Sequence, residues 1–297
     1  LLSISCGMHV PVPVVTSIML RVRANTIGLV DLQYRYSGAG LYCYASMCNH
    51  SCRPNACWTF TGSTVCIQTL SAVPANTEIS LSYTDSFAPV KERRSALLPY
   101  GFVCTCSACS ANDMDDKARE HRIAGHCCPS ASSAGDGEHC GGMLDPCPTV
   151  VVAEVYSCTL CSAKHKLGDM QKRTLDVANA FQTGMACLQS GSASGTGKDE
   201  FRGHMARVLS REPGTPGAIL PAFHTLKRKA SQLLLVDFKQ RVDACWASKG
   251  AQPYPNFQEC RTAIGHAQAL AAACSNVYVA NHPRAASALL LLADVYL

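Results

Sequence analysis

The chain has little charge and few aromatic side chains for its length. Only 16% of its 297 residues are charged and 7% are aromatic, and the formal net charge is +5. No long run of Lys and Arg occurs, so a phosphate-binding surface is not indicated and direct binding of nucleic acid is not expected. The short basic string KRK (227–229) lies in a helical pattern, and we expect it to form a solvent-facing surface.

The chain also lacks a long apolar run and a basic leader. Its last apolar stretch, AASALLLLADVYL, has 13 residues, whereas a membrane-spanning helix needs about 20. The opening string LLSISCGMHVPVPVVTSIML contains two prolines and no basic segment before its apolar residues, which does not fit a secretory signal. We therefore expect a protein of the cytoplasm or the nucleus that does not bind membranes.

Cysteine, in contrast, is abundant, with 19 residues. Such a density indicates disulfides in small secreted proteins, but a long chain that is 47% apolar can form its core without them. In a reducing compartment, clustered cysteines are typical of metal sites. We therefore interpret the clusters as zinc ligands.

The first cluster is the string CTCSAC, which holds Cys104, Cys106 and Cys109. This spacing brings three sulfur atoms to one point, as a tetrahedral zinc ion requires. Zinc needs a fourth ligand, and Cys52 of the string NHSCRPN (49–55) is our candidate. The alternative is that all these cysteines are small buried apolar side chains.

A second set of cysteines follows in a segment interrupted by Gly and Ser. The string CTLC places Cys158 and Cys161 at zinc-knuckle spacing, and Cys140 precedes two glycines that allow a tight turn. A redox role for CTLC is not favoured, because no βαβ pattern surrounds it. Either Cys127 or Cys128 can complete the site, and the predicted set uses Cys128.

Hydrophobic patterning divides the chain into a strand-rich and a helical part, which predicts an α+β protein. Three strand patterns precede residue 87, and a short helix is predicted over 88–100. From about residue 168, apolar residues recur at spacings of three and four, as in amphipathic helices. The strand patterns are TIGLVDLQY (26–34), STVCIQTLSAV (63–73) and EISLSYTD (78–85), and the helical ones are 168–188, 220–249, 257–278 and 282–297. The strings SGSASGTGK (190–198) and REPGTPG (211–217) are predicted connectors.

Four ordered motifs resemble SET-domain protein lysine methyltransferases, and most closely their SMYD (SET and MYND) subfamily. They are ANTIGLVD, GAGLYCYASMCNHSC continuing into RPNA, EISLSYTD, and KERRSALLPYGFVCTCSAC, which together span about residues 20–110. The resemblance implies a β-rich SET-type domain with a pseudoknot, in which the segment around Asn49 passes under a neighbouring loop. The later segments resemble, more loosely, a post-SET region and TPR-like helices. The implied domains are the C-terminal part of a SET domain (1–99), a Cys-rich zinc-binding post-SET segment (100–166) and a helical region (167–297).

The resemblance also implies roles for single residues. Tyr83 matches the catalytic tyrosine of these enzymes and also borders their cofactor. The other positions that match contacts to S-adenosylmethionine are Asn25, Asn49, His50 and Phe102. The resemblance further implies that Cys52 joins Cys104, Cys106 and Cys109 on zinc, and that the substrate is a lysine of a histone tail or of another protein.

The chemistry of methyl transfer explains why such a site needs few reactive groups. A methyl group on a sulfonium already has a good leaving group, so alignment is the main requirement and is worth up to about 7–11 kcal/mol. The attacking lysine must be neutral although its ordinary pKa is about 10.4, and a narrow apolar channel lowers that pKa.

Two parts of the family pattern are not visible in this sequence. These are the Gly-rich strand that cradles the methionine end of the cofactor and the MYND zinc finger. We therefore expect a piece of a longer enzyme whose own cofactor binding is weakened. The alternative is a non-catalytic, zinc-braced protein-interaction module whose helices bind partner peptides.

Overall fold

The computed structural model describes residues 10–30, 36–110, 114–130, 140, 142–146, 155–189, 195–210, 220–249, 254–278, 282, 285–286 and 288. The chain divides into two compact units. The first unit comprises Leu1–Ser86, Val90–Asn112 and Val279–Ser287, and the second comprises Phe87–Pro89, Asp113–Tyr278 and Ala288–Leu297. Both helices and strands occur, which confirms the predicted α+β class. The predicted three-part division at residues 99 and 166 stays a prediction.

The strands of the first unit are short and lie in pairs. β1 (Thr26–Val30) pairs antiparallel with β2 (Tyr36–Leu41), and β4 (Ala56–Thr61) pairs antiparallel with β5 (Thr64–Thr69). The turn between β4 and β5 contains Gly62 at φ +58°, a backbone conformation that glycine adopts without a steric penalty.

A third pair of strands brings the string NHSCRPN beside the string EISLSYTD. β3 (Asn49–His50) and β6 (Ser80–Leu81) pair in parallel, with Asn49 opposite Ser80 and His50 opposite Leu81. The threading that a pseudoknot requires stays a prediction.

The strand predicted over 78–85 is shorter than expected, and the side chain of Asn55 gives the reason. Asn55 Oδ1 accepts a hydrogen bond from the Ser80 amide at 2.9 Å, and its Nδ2 donates to the Glu78 carbonyl at 2.8 Å. A side chain thus occupies backbone groups that a neighbouring strand would otherwise pair with. These bonds limit β6 on its N-terminal side, and beyond Leu81 the Tyr83 amide donates to the side chain of His50, so β6 has two residues.

Helix α1 (Val12–Asn25) lies in the part of the chain that the patterning predicted as strands and turns, so that prediction was wrong here. Pro11 and Pro13 stand at its start, where the missing amide hydrogens cost nothing because the first turn has no intrahelical acceptors for them. No glycine interrupts the fourteen residues, and α1 buries none of its described side chains.

The predicted short helix over 88–100 is confirmed as α2 (Val90–Leu97), followed by a 3₁₀ turn (Leu98–Tyr100). Gly101 ends this turn at φ +77°. The one-turn helix α3 (Ser107–Ser110) comes next. It is tied to α2 by Arg93, which is fully buried and donates from Nη2 to the Ala108 carbonyl at 3.1 Å.

The second unit begins with helix α4 (Met114–Ala124) and a small antiparallel sheet. In this sheet β8 (Val155–Cys158) lies between β7 (Leu144–Pro146) and β9 (Lys164–Lys166). Four longer helices follow: α5 (Leu167–Gln189), α6 (Gly195–Leu209), α7 (Thr225–Ala247) and α8 (Phe257–Val277). The first three of these helices share an apolar core that includes Val177, Phe181, Phe201, Met205, Val208, Leu220 and Ala230.

The helical prediction is confirmed for α5, α7 and α8. Other predictions for this part of the chain were wrong or fall on residues that the structure does not describe. Helix α6 begins at Gly195, inside the predicted connector 190–198, since the first turn of a helix tolerates glycine. The connector 211–217 and most of 282–297 lie outside the described residues. The solvent-facing role predicted for KRK was wrong, because the side chain of Lys227 is only 4% exposed.

None of the helices in the described part of the chain combines the length and the apolar character needed to cross a membrane.

Candidate functional site

A cleft of about 550 Å³ lies in the first unit, within the range of about 300–1,000 Å³ that is usual for small-molecule sites. Its walls come from segments that are distant in the sequence. All five positions that the resemblance relates to a cofactor line it: Asn25, Asn49, His50, Tyr83 and Phe102.

Each of these side chains reaches the cleft from the end of an element. Asn25 is the last residue of α1, and Asn49 and His50 form β3. Tyr83 follows β6, which pairs with β3, and Phe102 follows the left-handed turn at Gly101. The short parallel pair β3–β6 therefore positions the centre of the cleft.

Hydrogen bonds fix the two asparagine side chains. Asn49 Nδ2 donates to Glu78 Oε1 at 2.6 Å, and Asn25 Nδ2 donates to the Arg21 carbonyl one turn earlier in α1 at 2.8 Å. Glu78 precedes β6, so the first bond also joins the two strand segments. No motif of the sequence had marked Glu78 as a residue of the site.

Four aromatic rings follow one another along the cleft. The centroid of His50 lies 5.2 Å from that of Tyr83 and 5.9 Å from that of Phe102, and Tyr83 lies 5.0 Å from Tyr100. Such tilted contacts at 4.5–7 Å are the favoured arrangement of aromatic pairs. The faces of these rings are electronegative and attract cations.

The hydroxyl of Tyr83 is held by the backbone. It donates a hydrogen bond to the Cys48 carbonyl at 2.5 Å. Burial, together with the neighbouring Tyr100 and Cys48, raises the pKa of the Tyr83 phenol above its ordinary value. The group is therefore neutral near pH 7, and with its hydrogen directed at Cys48 it can act as an acceptor.

A first group of four cysteines adjoins the cleft, and Cys104 and Cys106 also line its wall. The sulfur atoms of the predicted first site lie within 4.8 Å of one another: Cys52, Cys104, Cys106 and Cys109. Cys52 Sγ is 3.5 Å from Cys109 Sγ and 3.9 Å from Cys104 Sγ, too long for a disulfide, whose S–S bond is about 2.05 Å. A tetrahedral zinc ion with Zn–S bonds of about 2.3 Å places its sulfur atoms about 3.8 Å apart. The donor set therefore fits zinc.

The electrostatics of this first group favour a thiolate, the form that binds metal. A hydrogen bond from the Cys52 thiol lowers the pKa of Cys106 to about 3, and the same contact raises the pKa of Cys52. The positive charge of the buried Arg93 acts in the opposite direction on Cys52 and lowers its pKa. A metal with four thiolates carries net negative charge, which this guanidinium partly offsets.

A second group of cysteines lies in the second unit, at the edge of the small sheet. The sulfur atoms of the predicted second site also lie within 4.8 Å of one another: Cys128, Cys140, Cys158 and Cys161. Cys128 Sγ is 3.7 Å from Cys161 Sγ, and Cys140 Sγ is 3.5 Å from Cys158 Sγ. Cys127 is not part of this group. Its backbone forms an antiparallel bridge with Met143 instead.

Backbone geometry supports metal binding at this second group as well. The amides of Leu160 and Cys161 donate to Cys158 Sγ at 3.3 and 3.4 Å. Burial opposes ionisation of Cys158, but these two bonds, together with hydrogen bonds from the thiols of Cys140 and Cys161, lower its pKa to about 7. Gly142 allows the close approach, since a Cβ at this position would lie 2.3 Å from Cys158 Sγ.

Sequence reasoning missed several lining residues. Tyr100 and Ser46 border both the cleft and an adjoining cavity of about 110 Å³. That smaller cavity is lined largely by apolar side chains, including Ile27, Trp58 and Leu81. The one available signal was the string LLPYGFVC, in which Tyr100 stands two residues before Phe102.

Comparison with known proteins relates this geometry to a family. Residues 21–84 match the family model of the SET domain. The chain carries a SET domain. About a third of the chain is also similar to SMYD proteins, which confirms the resemblance drawn from the motifs.

Three curated relatives show the extent of the similarity. A histone-lysine N-methyltransferase SMYD3 of Mus musculus is 31% identical over 96 residues, which cover 32% of this chain and 22% of the relative. An N-lysine methyltransferase SMYD2-A of Xenopus laevis is 30% identical over 103 residues, 34% of this chain and 24% of the relative. A SET and MYND domain-containing protein of Dictyostelium discoideum is 41% identical over 100 residues, 30% of this chain and 29% of the relative. The chain thus matches only about a quarter of the length of these relatives.

Proposed function

We propose that this chain provides the catalytic cleft of an S-adenosylmethionine-dependent protein-lysine N-methyltransferase. The observation that carries the proposal is the cleft itself, which gathers Asn25, Asn49, His50, Tyr83 and Phe102 in one wall. The relatives named as lysine methyltransferases support the reaction class.

Tyr83 is the proposed catalytic residue. When bound, S-adenosylmethionine supplies a methyl group on a positively charged sulfur. Since the Tyr83 hydroxyl donates to the Cys48 carbonyl, the lone pairs of its oxygen are available to accept a hydrogen bond from the target amine. Tyr83 thereby orients the amine for in-line attack and remains a neutral phenol.

We propose that the adjoining cavity and the aromatic rings bind the side chain of the target lysine and favour its neutral form. The cavity of about 110 Å³ shares Tyr83 and Tyr100 with the cleft, so an amine placed there reaches the cofactor side. The apolar side chains in its lining, Ile27, Trp58 and Leu81, disfavour an ammonium ion, which lowers the pKa of the target lysine. That proton passes to solvent water at the open side of the cleft, and the neutral amine that remains is the nucleophile.

Two zinc ions are proposed as structural braces, one in each cysteine group. In the first group, Cys52 would tie the end of β3 to Cys104, Cys106 and Cys109 after the 3₁₀ turn. In the second group, Cys128, Cys140, Cys158 and Cys161 would hold the small sheet. Four protein ligands leave no open position, which is typical of a structural rather than a catalytic zinc site.

The remaining parts of the proposal concern partners and location. The substrate is a protein lysine, in a histone tail or another protein, and the enzyme acts in the cytoplasm or the nucleus. The alternative of a non-catalytic interaction module is not favoured, because it assigns no role to the cleft.

The test is methyl transfer from labelled S-adenosylmethionine to histones and to total cell protein. We expect Tyr83→Phe to reduce the rate by about 10²-fold or more, as loss of a positioned polar group at a reacting centre does. Tyr44→Phe is the matched control, because Tyr44 is 94% exposed and loses the same hydroxyl outside the cleft. Equal rates for Tyr83→Phe and the unchanged chain would contradict the proposal.

A further inference from the structure

The imidazole of His50 makes two contacts in opposite directions. Its Nδ1 accepts a hydrogen bond from the backbone amide of Tyr83 at 2.9 Å. Its Nε2 lies 3.2 Å from the sulfur of Cys52. One side chain therefore lies between the residue proposed for catalysis and a ligand of the first cysteine group.

The first contact determines the protonation of the ring. A backbone amide can only donate, so Nδ1 carries no hydrogen. A ring whose Nδ1 accepts a hydrogen bond keeps the lone pair on that nitrogen and is a neutral imidazole. A neutral imidazole without hydrogen on Nδ1 carries it on Nε2, where it faces Cys52.

The second contact is therefore a donor bond to sulfur. Without metal Cys52 is a thiol, and when it binds metal as a thiolate, an N–H group pointing at its Sγ stabilises that form. Groups that hydrogen-bond to a metal ligand orient it, and their loss typically costs 10–100-fold in metal affinity.

We propose that His50 is a positioning residue that connects the first metal site to the backbone of Tyr83. The inference deepens the proposed function and depends on it for the role of Tyr83. Nε2–H holds the Cys52 sulfur toward the site formed with Cys104, Cys106 and Cys109. Nδ1 holds the Tyr83 amide, and with it the segment that carries the phenol into the cleft.

Two substitutions separate the two bonds. In His50→Asn, the side-chain oxygen lies near the place of Nδ1 and still accepts from the Tyr83 amide, but nothing reaches Cys52. In His50→Gln, the longer amide reaches toward Cys52 and its NH₂ group can donate to sulfur, while the acceptor near Tyr83 is displaced. Each variant is the matched control of the other.

The metal readout is the rate of zinc release from the full chain to a chromophoric chelator. Cys106→Ser identifies the kinetic phase that belongs to the first site. We expect His50→Asn to release this zinc about 10-fold faster than the unchanged chain, or faster still. We expect His50→Gln to remain within about threefold of the unchanged rate.

The backbone readout is hydrogen exchange of the Tyr83 amide in a chain labelled with ¹⁵N-tyrosine, its signal identified by its absence in Tyr83→Phe. Here we expect the opposite order, with exchange about 10-fold faster in His50→Gln and nearly unchanged in His50→Asn. Parallel loss of both properties in both variants, or no change in either variant, would overturn the proposal. Neither readout requires cofactor, so a failure of methyl transfer is distinguishable from a failure of this connection.

Discussion

At the scale of single residues, the second cysteine group depends on a position without a side chain. Gly142 is buried, and a Cβ there would lie 2.3 Å from Cys158 Sγ, so Gly142→Ala must displace a ligand. We expect this variant to lose one of the two zinc ions per chain, as measured by elemental analysis of the purified protein. Gly203→Ala is the control, because a Cβ at Gly203 in α6 meets nothing within 4 Å. Retention of two zinc ions by Gly142→Ala would contradict the assignment.

Site residues that lie close together in the sequence could be predicted, whereas contacts between distant segments could not. The spacing of CTCSAC predicted three ligands, since sulfur atoms two and three positions apart converge on one ion. The contacts of Tyr83 with Cys48 and of Asn55 with Ser80 could not be predicted, because they join segments 35 and 25 residues apart. The pairing of β3 with β6 and the packing of β4 against β6 bring those segments together.

At the scale of elements, the start of helix α7 contains a buried histidine that is sensitive to pH. His224 caps α7, since its Nδ1 accepts a hydrogen bond from the Leu226 amide. Burial lowers the pKa of His224 to about 3, with further contributions from the positive charges of His126, Lys227 and Lys229. The folded state therefore remains unprotonated at pH values where the unfolded chain, with a pKa of about 6.5, binds a proton.

The sign of the pH effect follows from this difference. Because the unfolded chain binds the proton first, the free energy of unfolding falls as pH decreases from about 6.5 toward 3, by up to about 1.4 kcal/mol per pH unit. His224→Asn retains a capping acceptor and cannot titrate. Urea unfolding between pH 7 and pH 5 should show a smaller loss of stability in this variant. An equal loss in both proteins would contradict the prediction.

Helices α6, α7 and α8 are also joined by a chain of ion pairs. Asp237 Oδ2, whose side chain is 6% exposed, lies 3.0 Å from Arg202 Nη1 and 3.5 Å from Arg241 Nε. Arg241 Nη1 in turn lies 2.5 Å from Glu259 Oε1. Asp237 thus pairs with Arg202 of α6 and with Arg241 of its own helix α7. Arg241 also pairs with Glu259 of α8.

Removal of Asp237 should therefore destabilise the second unit. We expect Asp237→Ala to lower the free energy of unfolding by about 1.5–3 kcal/mol, since it leaves two partly buried guanidinium groups without this acceptor. Asp199→Ala removes another carboxylate that pairs with Arg202, but its side chain is 73% exposed, so the expected change is within about 0.5 kcal/mol. Urea unfolding of both variants measures the difference, and equal effects would contradict the account.

Helices with a strong apolar periodicity were predicted correctly, whereas helix α1 and the length of strand β6 were not. The apolar spacing of α5, α7 and α8 identified them because their buried faces repeat every three or four residues. Helix α1 has no buried face, so no periodic signal marked it. The short β6 reflects the Asn55 side chain, which a strand pattern cannot reveal.

At the scale of the whole molecule, the cleft and the two cysteine groups are divided between the two units. The first unit contains the SET match, the cleft and the first cysteine group. The second contains the second cysteine group and the helices. The first unit continues to Asn112, and the predicted division at residues 99 and 166 stays a prediction.

The central claim is that the cleft in the first unit binds S-adenosylmethionine. Calorimetric titration of the zinc-loaded chain with this compound tests it most directly, with Phe102→Ala as the variant and Tyr44→Phe as the control. We expect saturable 1:1 binding in the micromolar range, weakened about 10-fold or more when the ring of Phe102 is removed and unchanged in the control. The absence of saturable binding, or equal affinity in all three proteins, would contradict the account.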